Sequence, residues 1–213
     1  MPKKLLLSRP SYEVTTNYLS SWSEKIINIA KNKKIVVLDL KGNQANKKRL
    51  TQTIDQYKPH LVLLNGHGNK EAITGQNDEI LIQAGENENI LKGKIVYALS
   101  CETGKVLGPE SIKAGTDVYI GYDEVFIFYY TKGKESQPLR DKRAALFLQP
   151  ASEVSTSLIE GQSGKEAHEK SKNAFMLNIR KLLSSQAKES YLVRYLLWDM
   201  KHQVCLGNKN ATF

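Results

Sequence analysis

The sequence predicts an α/β fold in which helices sandwich a mostly parallel β-sheet. Apolar runs of strand length alternate along the chain with segments whose apolar residues recur at helical spacing. The strand-length runs are almost continuously apolar, which is typical of parallel strands that are buried on both faces. Together the two patterns indicate a parallel sheet covered by helices on both faces.

The first third of the chain has the order strand, helix, strand, helix, strand. Leu19, Trp22 and Ile26 fall on one helical face, and residues 35–40 (IVVLDL) form a β-branched run of strand length. The predicted strands here are 4–8, 35–40 and 61–64. The predicted helices are about 14–31 and a second one containing Leu50, Ile54 and Tyr57, closed by Pro59.

The rest of the chain is more polar, but the alternation continues. The predicted strands are 79–83 (alone or in a hairpin), 94–99, 117–122 and 202–206. The predicted helices are a short one capped within 87–89, then about 140–149, 151–161, 164–184 and 188–199. Residues 130–143, which include Gly133 and Pro138, predict a loop. No internal repeat or low-complexity linker divides the chain, so we expect a single domain spanning residues 1–213.

Composition limits the classes of protein to be considered. The net charge is +9, from 31 Lys and Arg against 22 Asp and Glu, but the basic residues are scattered without interleaved aromatic residues, so nucleic-acid binding is not expected. No apolar run is long enough to span a membrane. The start of the chain has only three consecutive leucines before a serine and is not interpreted as a signal peptide. Two cysteines, Cys101 and Cys205, make no disulfide framework, and we expect a cytoplasmic protein.

Reactive side chains follow two of the predicted strands. His67 lies between Gly66 and Gly68 just after strand 61–64, and Cys101 follows strand 94–99. In open α/β sheets ligands bind beyond the carboxyl ends of the strands, and neighbouring strands lie about 4.8 Å apart. If these strands are adjacent, His67 and Cys101 meet above the same edge of the sheet.

That pair has a defined chemistry. The thiolate of a cysteine is the nucleophile, and a nearby imidazole can take the thiol proton and later deliver a proton to a leaving amine. The glycines on either side of His67 allow unusual backbone angles and a close approach of substrate. The N–H groups of Gly68 and Cys101 are candidates for an oxyanion hole.

Taken separately, a histidine or a cysteine is more often structural than catalytic. The position of His67 and Cys101 at the ends of two strands favours a catalytic pair. Cys205, in VCLG, is interpreted as a core residue. Gly104-Lys105 lacks the earlier glycine of a phosphate-binding loop, and Ser100 lacks the flanking glycines of a nucleophile elbow. His67, Cys101 and Glu102 do not show metal-ligand spacing, so neither a metal nor a cofactor is expected.

The segments LVLLNGHG and IVYALSC, each an apolar block that ends at a candidate residue, resemble the caspase-like (clan CD) cysteine peptidases. ALSCETGKVLG is similar to the cysteine motif of bacterial CHAT domains, a group related to the gingipain- and clostripain-like members. DVYIGYDE, IEGQSGKEAHEKS and CLGNKNATF extend the resemblance to most of the chain. Arg-specific members often carry an acid two residues before the cysteine, where this chain has Leu99.

The resemblance implies a caspase–hemoglobinase fold and a cysteine endopeptidase that acts on protein or peptide substrates. His67 would be the general acid/base, Cys101 the nucleophile, and the Gly68 amide part of the oxyanion hole. Asp123 and Glu124, at the end of the next strand, would bind a basic P1 residue, unless they only solvate the strand end. The basic segment 131–140 would then be open to self-cleavage after Lys132 or Lys134. Two alternatives stay open, a catalytically inactive caspase-fold scaffold and a basic, nucleic-acid-associated α/β protein.

Overall fold

The computed structural model describes residues 2–184 and 188–213 and confirms the α/β sandwich. Its main sheet has six strands in the order β2-β1-β3-β6-β7-β8, of which β8 alone is antiparallel to its neighbour. A separate hairpin pairs β4 with β5. The strands are β1 Lys4–Arg9, β2 Val36–Lys41, β3 Leu61–Asn65, β4 Ala72–Thr74, β5 Ile80–Gln83, β6 Ile95–Leu99, β7 Val118–Tyr122 and β8 Gln203–Gly207.

Helices cover both faces of the main sheet. They are α1 Val14–Asn32, α2 Lys47–Tyr57, α3 Leu107–Lys113, α4 Lys142–Ile159, α5 Gly164–Ser184 and α6 Val193–His202. Side chains of Glu13, Asn46 and Asp141 accept backbone N–H bonds at the starts of α1, α2 and α4. These polar caps satisfy donors that a helix start leaves without partners.

The core has two layers, one on each side of the sheet. In β3, Leu61 and Leu63 belong to one hydrophobic cluster, while Val62 and Leu64 belong to the other. This alternation follows from the period of two along a strand. Helices α1, α4, α5 and α6 contribute to the first cluster, and α2, α3 and the β4–β5 hairpin contribute to the second.

Two elements differ from the sequence predictions. Helix α3 was not predicted, because only seven residues, LGPESIK, form it and they carry no long periodic pattern. The short helix expected at 87–89 is a 3-10 turn, Glu88–Leu91, and the Asn87 side chain does not cap it. Instead, its Oδ1 accepts a hydrogen bond from the Gln83 amide at the end of β5.

The predicted helices 140–149 and 151–161 are a single helix, α4, so the break expected at Pro150 was wrong. Proline removes the N–H that would bond to the carbonyl four residues earlier, that of Leu146. Here Nδ2 of Asn178, on α5, donates to the Leu146 oxygen at 2.8 Å. A donor from the neighbouring helix therefore satisfies the carbonyl that Pro150 leaves free.

Among the described residues, no helix combines the length and apolar character needed to cross a membrane.

Candidate active site

His67 and Cys101 follow the ends of two neighbouring strands of the sheet. Strands β3 and β6 are adjacent and parallel, and their last pair in register is Asn65 with Leu99. His67 lies two residues beyond Asn65, and Cys101 lies two residues beyond Leu99. The two side chains therefore leave equivalent positions at the carboxyl end of one pair of strands.

The His67 ring is held from one side by an acid. Its Nε2 lies 3.3 Å from Oε1 of Glu13, and Tyr12 approaches the ring edge-on with 6.3 Å between centroids. The Thr74 amide donates to the His67 carbonyl at 2.9 Å, which fixes the backbone. The side chain is 41% exposed, so the imidazole is open to solvent and to a ligand.

Glu13 also forms the N-cap of α1. Its carboxylate accepts the amides of Thr15 at 2.7 Å and Thr16 at 2.5 Å. Burial alone would raise the pKa of Glu13, but the hydrogen bonds from Thr16 and Thr15 together with the nearby His67 outweigh it, and the pKa is lowered. A charged carboxylate therefore faces His67 at neutral pH. Glu13 was not predicted to belong to the site, because it is far from His67 in sequence.

Cys101 is partly covered. Its Sγ lies 3.9 Å from the carbonyl oxygen of Phe126, at the outer limit of a thiol hydrogen bond. Burial raises the pKa of the Cys101 thiol above its ordinary value. The next residue, Glu102, has a φ of 57°, in the left-handed region that non-glycine residues rarely adopt. The thiol at this sharp turn is therefore neutral until a base removes its proton.

The amides predicted to form an oxyanion hole are free to donate. Within residues 2–184 and 188–213, no acceptor receives the backbone N–H of Gly68 or of Cys101. At Gly68 the reason for glycine is packing, since a Cβ there would lie 2.1 Å from Oγ of Ser100. The absence of a side chain lets the loop after β3 sit directly against the loop after β6.

The two predicted substrate-binding acids already have partners. Asp123 Oδ1 lies 2.8 Å from Nδ1 of His202, and Glu124 Oε1 lies 2.7 Å from Nζ of Lys105. The hydrogen bond from Lys105 lowers the pKa of Glu124. Both acids flank the end of β7 beside the turn of Cys101, as the Glu102 amide donates to the Glu124 carbonyl at 3.1 Å.

Cys205 lies elsewhere. It is 6% exposed within the first hydrophobic cluster, and burial raises the pKa of its thiol to about 11. Within the described ranges, no three His, Cys, Asp or Glu side chains gather in a way that would hold a metal ion.

Comparison with solved structures identifies the architecture. The cysteine peptidase gingipain RgpB of Porphyromonas gingivalis, in a complex of its pro- and mature domains, matches with a TM-score of 0.60 and 10% identity. The match covers 98% of this chain but only 47% of that one, so the chain spans about half of the RgpB chain. The chain has a caspase-like fold.

The structural similarity confirms the caspase-like fold expected from the sequence motifs. No family model and no curated protein matches the sequence. An inactive zymogen C11 protease of Parabacteroides distasonis also matches, with a TM-score of 0.42, 11% identity, and coverage of 89% of this chain and 68% of that chain. That similarity is too low to support a structural argument.

Proposed function

We propose that the chain is a cysteine endopeptidase with His67 and Cys101 as its catalytic dyad. The observation that carries this proposal is the register of β3 with β6, which brings the two residues to equivalent positions at adjacent strand ends. The caspase-like fold, shared with a cysteine peptidase, supports the same reaction class. The free amides of Gly68 and Cys101 supply the oxyanion hole.

The neutral thiol makes His67 a general base. Because Nε2 lies 3.3 Å from the Glu13 carboxylate, we assign the ring proton of the neutral imidazole to Nε2 and the role of base to Nδ1. As Sγ of Cys101 bonds to the peptide carbonyl carbon, Nδ1 takes the thiol proton. The imidazolium then protonates the leaving amine as the C–N bond breaks. Water, deprotonated by the same nitrogen, hydrolyses the thioester and restores both residues.

For specificity we propose a basic P1 residue and assign its binding to Asp123 and Glu124, at the end of β7. A carboxylate pairs best with arginine, through two parallel bonds. An incoming guanidinium would have to displace His202 from Asp123 or Lys105 from Glu124. Lys132 and Lys134 lie exposed in the following turn, and this placement favours self-cleavage there.

The alternative is an inactive member of the same fold that serves as a scaffold or regulatory module. One observation favours it, because the Phe126 carbonyl and the burial of Cys101 keep the thiol covered and protonated. Within the caspase-like peptidases, we propose a relationship to the bacterial CHAT group, which the similarity of ALSCETGKVLG to their cysteine motif supports. We propose a single domain over residues 1–213.

The proposed substrates are proteins or peptides, and the test is hydrolysis of a fluorogenic peptide library in which the P1 residue varies. Cys101→Ala should abolish hydrolysis, and His67→Ala should lower kcat/KM by at least about 100-fold. Cys205→Ser and His60→Ala are the matched controls, since Cys205 lies in the core and His60 is exposed at the start of β3. Both should retain activity.

The results distinguish an active peptidase from an inactive scaffold. Full activity in Cys101→Ala refutes the dyad, and a wild-type chain that cleaves nothing in the library supports the scaffold. Preference for Arg or Lys at P1 should fall more in Asp123→Ala than in Glu124→Ala. A profile that favours Asp or an apolar residue at P1 refutes the specificity assignment and leaves the dyad intact.

A further inference from the structure

An extended segment after β7 crosses the candidate nucleophile. We call residues 123–131 the strap; they form neither helix nor strand. Its far end is fixed by Asp141, which accepts the amide of Thr131 at 2.6 Å and its hydroxyl at 2.9 Å. Its near end runs along the last turns of α6.

Alternate strap residues are bound to α6. Besides the pairing of Asp123 with His202, Nε1 of Trp198 donates to the carbonyl of Val125 at 2.9 Å. The amide of the next alternate residue, Ile127, donates to Oδ1 of Asp199 at 2.9 Å. Helix α6 therefore holds the part of the strap that lies over the site, residues 123–127.

The hydrogen bond from Ile127 to Asp199 and the contact between Phe126 and the Cys101 thiol involve the same peptide group. The peptide between Phe126 and Ile127 directs its carbonyl at Sγ of Cys101 and its N–H at Asp199. A peptide group is planar, so anchoring its N–H also orients its carbonyl. Asp199 is thus one peptide group away from the nucleophile.

Asp199 is an unusual residue for this place. It is fully buried, and its Oδ2 has no hydrogen-bond partner among the described residues. A buried acid with an unpartnered oxygen costs stability, and an apolar residue of similar shape would avoid that cost. Within the described part of the chain, the one hydrogen bond that its carboxyl makes is the bond to the strap.

We propose that Asp199 is a positioning residue for Cys101, which acts by holding the Phe126–Ile127 peptide so that the Phe126 carbonyl lies against the thiol. The working group is the oxygen Oδ1 as an acceptor. Burial raises the pKa of Asp199 well above its ordinary value, which disfavours the charged form, and the hydrogen bond to the Ile127 amide needs only an acceptor oxygen. Asparagine, which keeps the acceptor, should therefore replace it.

The experiment measures alkylation of Cys101 by iodoacetamide in a Cys205→Ser background, where it is the single thiol. Asp199→Ala should raise the alkylation rate by about tenfold, the shift in strap opening expected from the loss of one hydrogen bond. Asp199→Asn should remain within about twofold of the parent, since it keeps that bond. Lys201→Ala, exposed on the same helix, is the matched control and should have no effect.

The inference rests on the proposed function only in treating Cys101 as the nucleophile. Alkylation of its thiol needs no peptidase activity, so this experiment can fail or succeed independently of the proposed function. An unchanged rate in Asp199→Ala, or equal changes in Asp199→Ala and Asp199→Asn, would overturn the inference. If Asp199→Ala does not fold, hydrogen exchange in the unsubstituted chain decides. The Ile127 amide should exchange more slowly than the amide of exposed Val125, and equal rates refute the anchor.

Discussion

At the scale of single residues, Glu13 joins the site to the fold. One carboxylate caps α1 and faces the imidazole of His67. The cap fixes the position of the carboxylate, because the two amides that bond to it belong to the first turn of the helix. The orientation of His67 therefore depends on where α1 begins.

We predict that Glu13→Ala destabilises the chain by about 1 kcal/mol at pH 7 through loss of the cap. The lowered pKa of Glu13 sets the pH dependence. A carboxyl whose folded-state pKa is depressed adds stability above its unfolded pKa of about 4.3, and this contribution disappears as pH falls through the folded value. In urea unfolding, the difference in the free energy of unfolding between wild type and Glu13→Ala should therefore become smaller below about pH 4.

Glu13→Gln is the control for charge. It keeps an acceptor for the amides of Thr15 and Thr16, so part of the cap should persist at every pH. A gap between wild type and Glu13→Ala that is the same at pH 3 and pH 7 would contradict the charge argument.

The sequence pointed to only some of the residues at this site. His67 and Cys101 stood out because each follows an apolar strand-length run, and strand ends are where ligands bind. Glu13 and Asp199 did not, because their positions depend on how α1 and α6 pack against the sheet, and a single sequence carries no direct signal of such long-range contacts. Asp123 and Glu124 were correctly predicted to follow the strand that ends at Tyr122, but the sequence did not indicate their pairing with His202 and Lys105.

At the scale of elements, α4 shows how a local rule can be overridden. Pro150 sits inside an 18-residue helix. Its own carbonyl accepts a hydrogen bond from Ser171 at 2.9 Å, and Leu146 accepts one from Asn178. Side chains of α5 thus bond to two α4 carbonyls around the proline. The pattern of α4 alone suggested two helices because the compensating donors are on another element.

We predict that Asn178→Ala destabilises the chain by about 1 kcal/mol, since it leaves the Leu146 carbonyl without a donor. In a Pro150→Ala background the restored amide can bond to that carbonyl, so the same substitution should cost much less. Thermal unfolding of the four proteins in this double-mutant cycle measures the coupling. Asn173→Ala, exposed on the same helix, is the control, and additive effects of Pro150→Ala and Asn178→Ala would refute the compensation.

At the scale of the whole molecule, the fold was largely predictable. The central parallel strands can be recognised in the sequence as continuous apolar runs, because both of their faces are buried. The antiparallel direction of β8 was not predicted, since a short apolar run reads the same in either direction. Helix α3 was missed because short helices depend on tertiary packing more than on their own pattern.

The net charge of +9 leads to a whole-molecule prediction. With the basic residues scattered along the sequence, we expect single-stranded RNA to bind no more tightly than the range of about 10⁻⁴–10⁻⁶ M typical of nonspecific contacts at physiological salt. Fluorescence anisotropy across a salt series measures this. Binding tighter than that range would favour the nucleic-acid-associated alternative over the peptidase.

Helix α6 passes into β8 with no residue between them, as α6 ends at His202 and β8 begins at Gln203. Gln203 pairs with Tyr122, and the Asp123 amide donates to the His202 carbonyl at 3.0 Å. The helix that holds the strap is therefore fixed at its end to the outermost strand of the sheet. We expect a displacement of β8 to move α6 and, through the bond between Asp199 and the Ile127 amide, the Phe126 carbonyl beside Cys101.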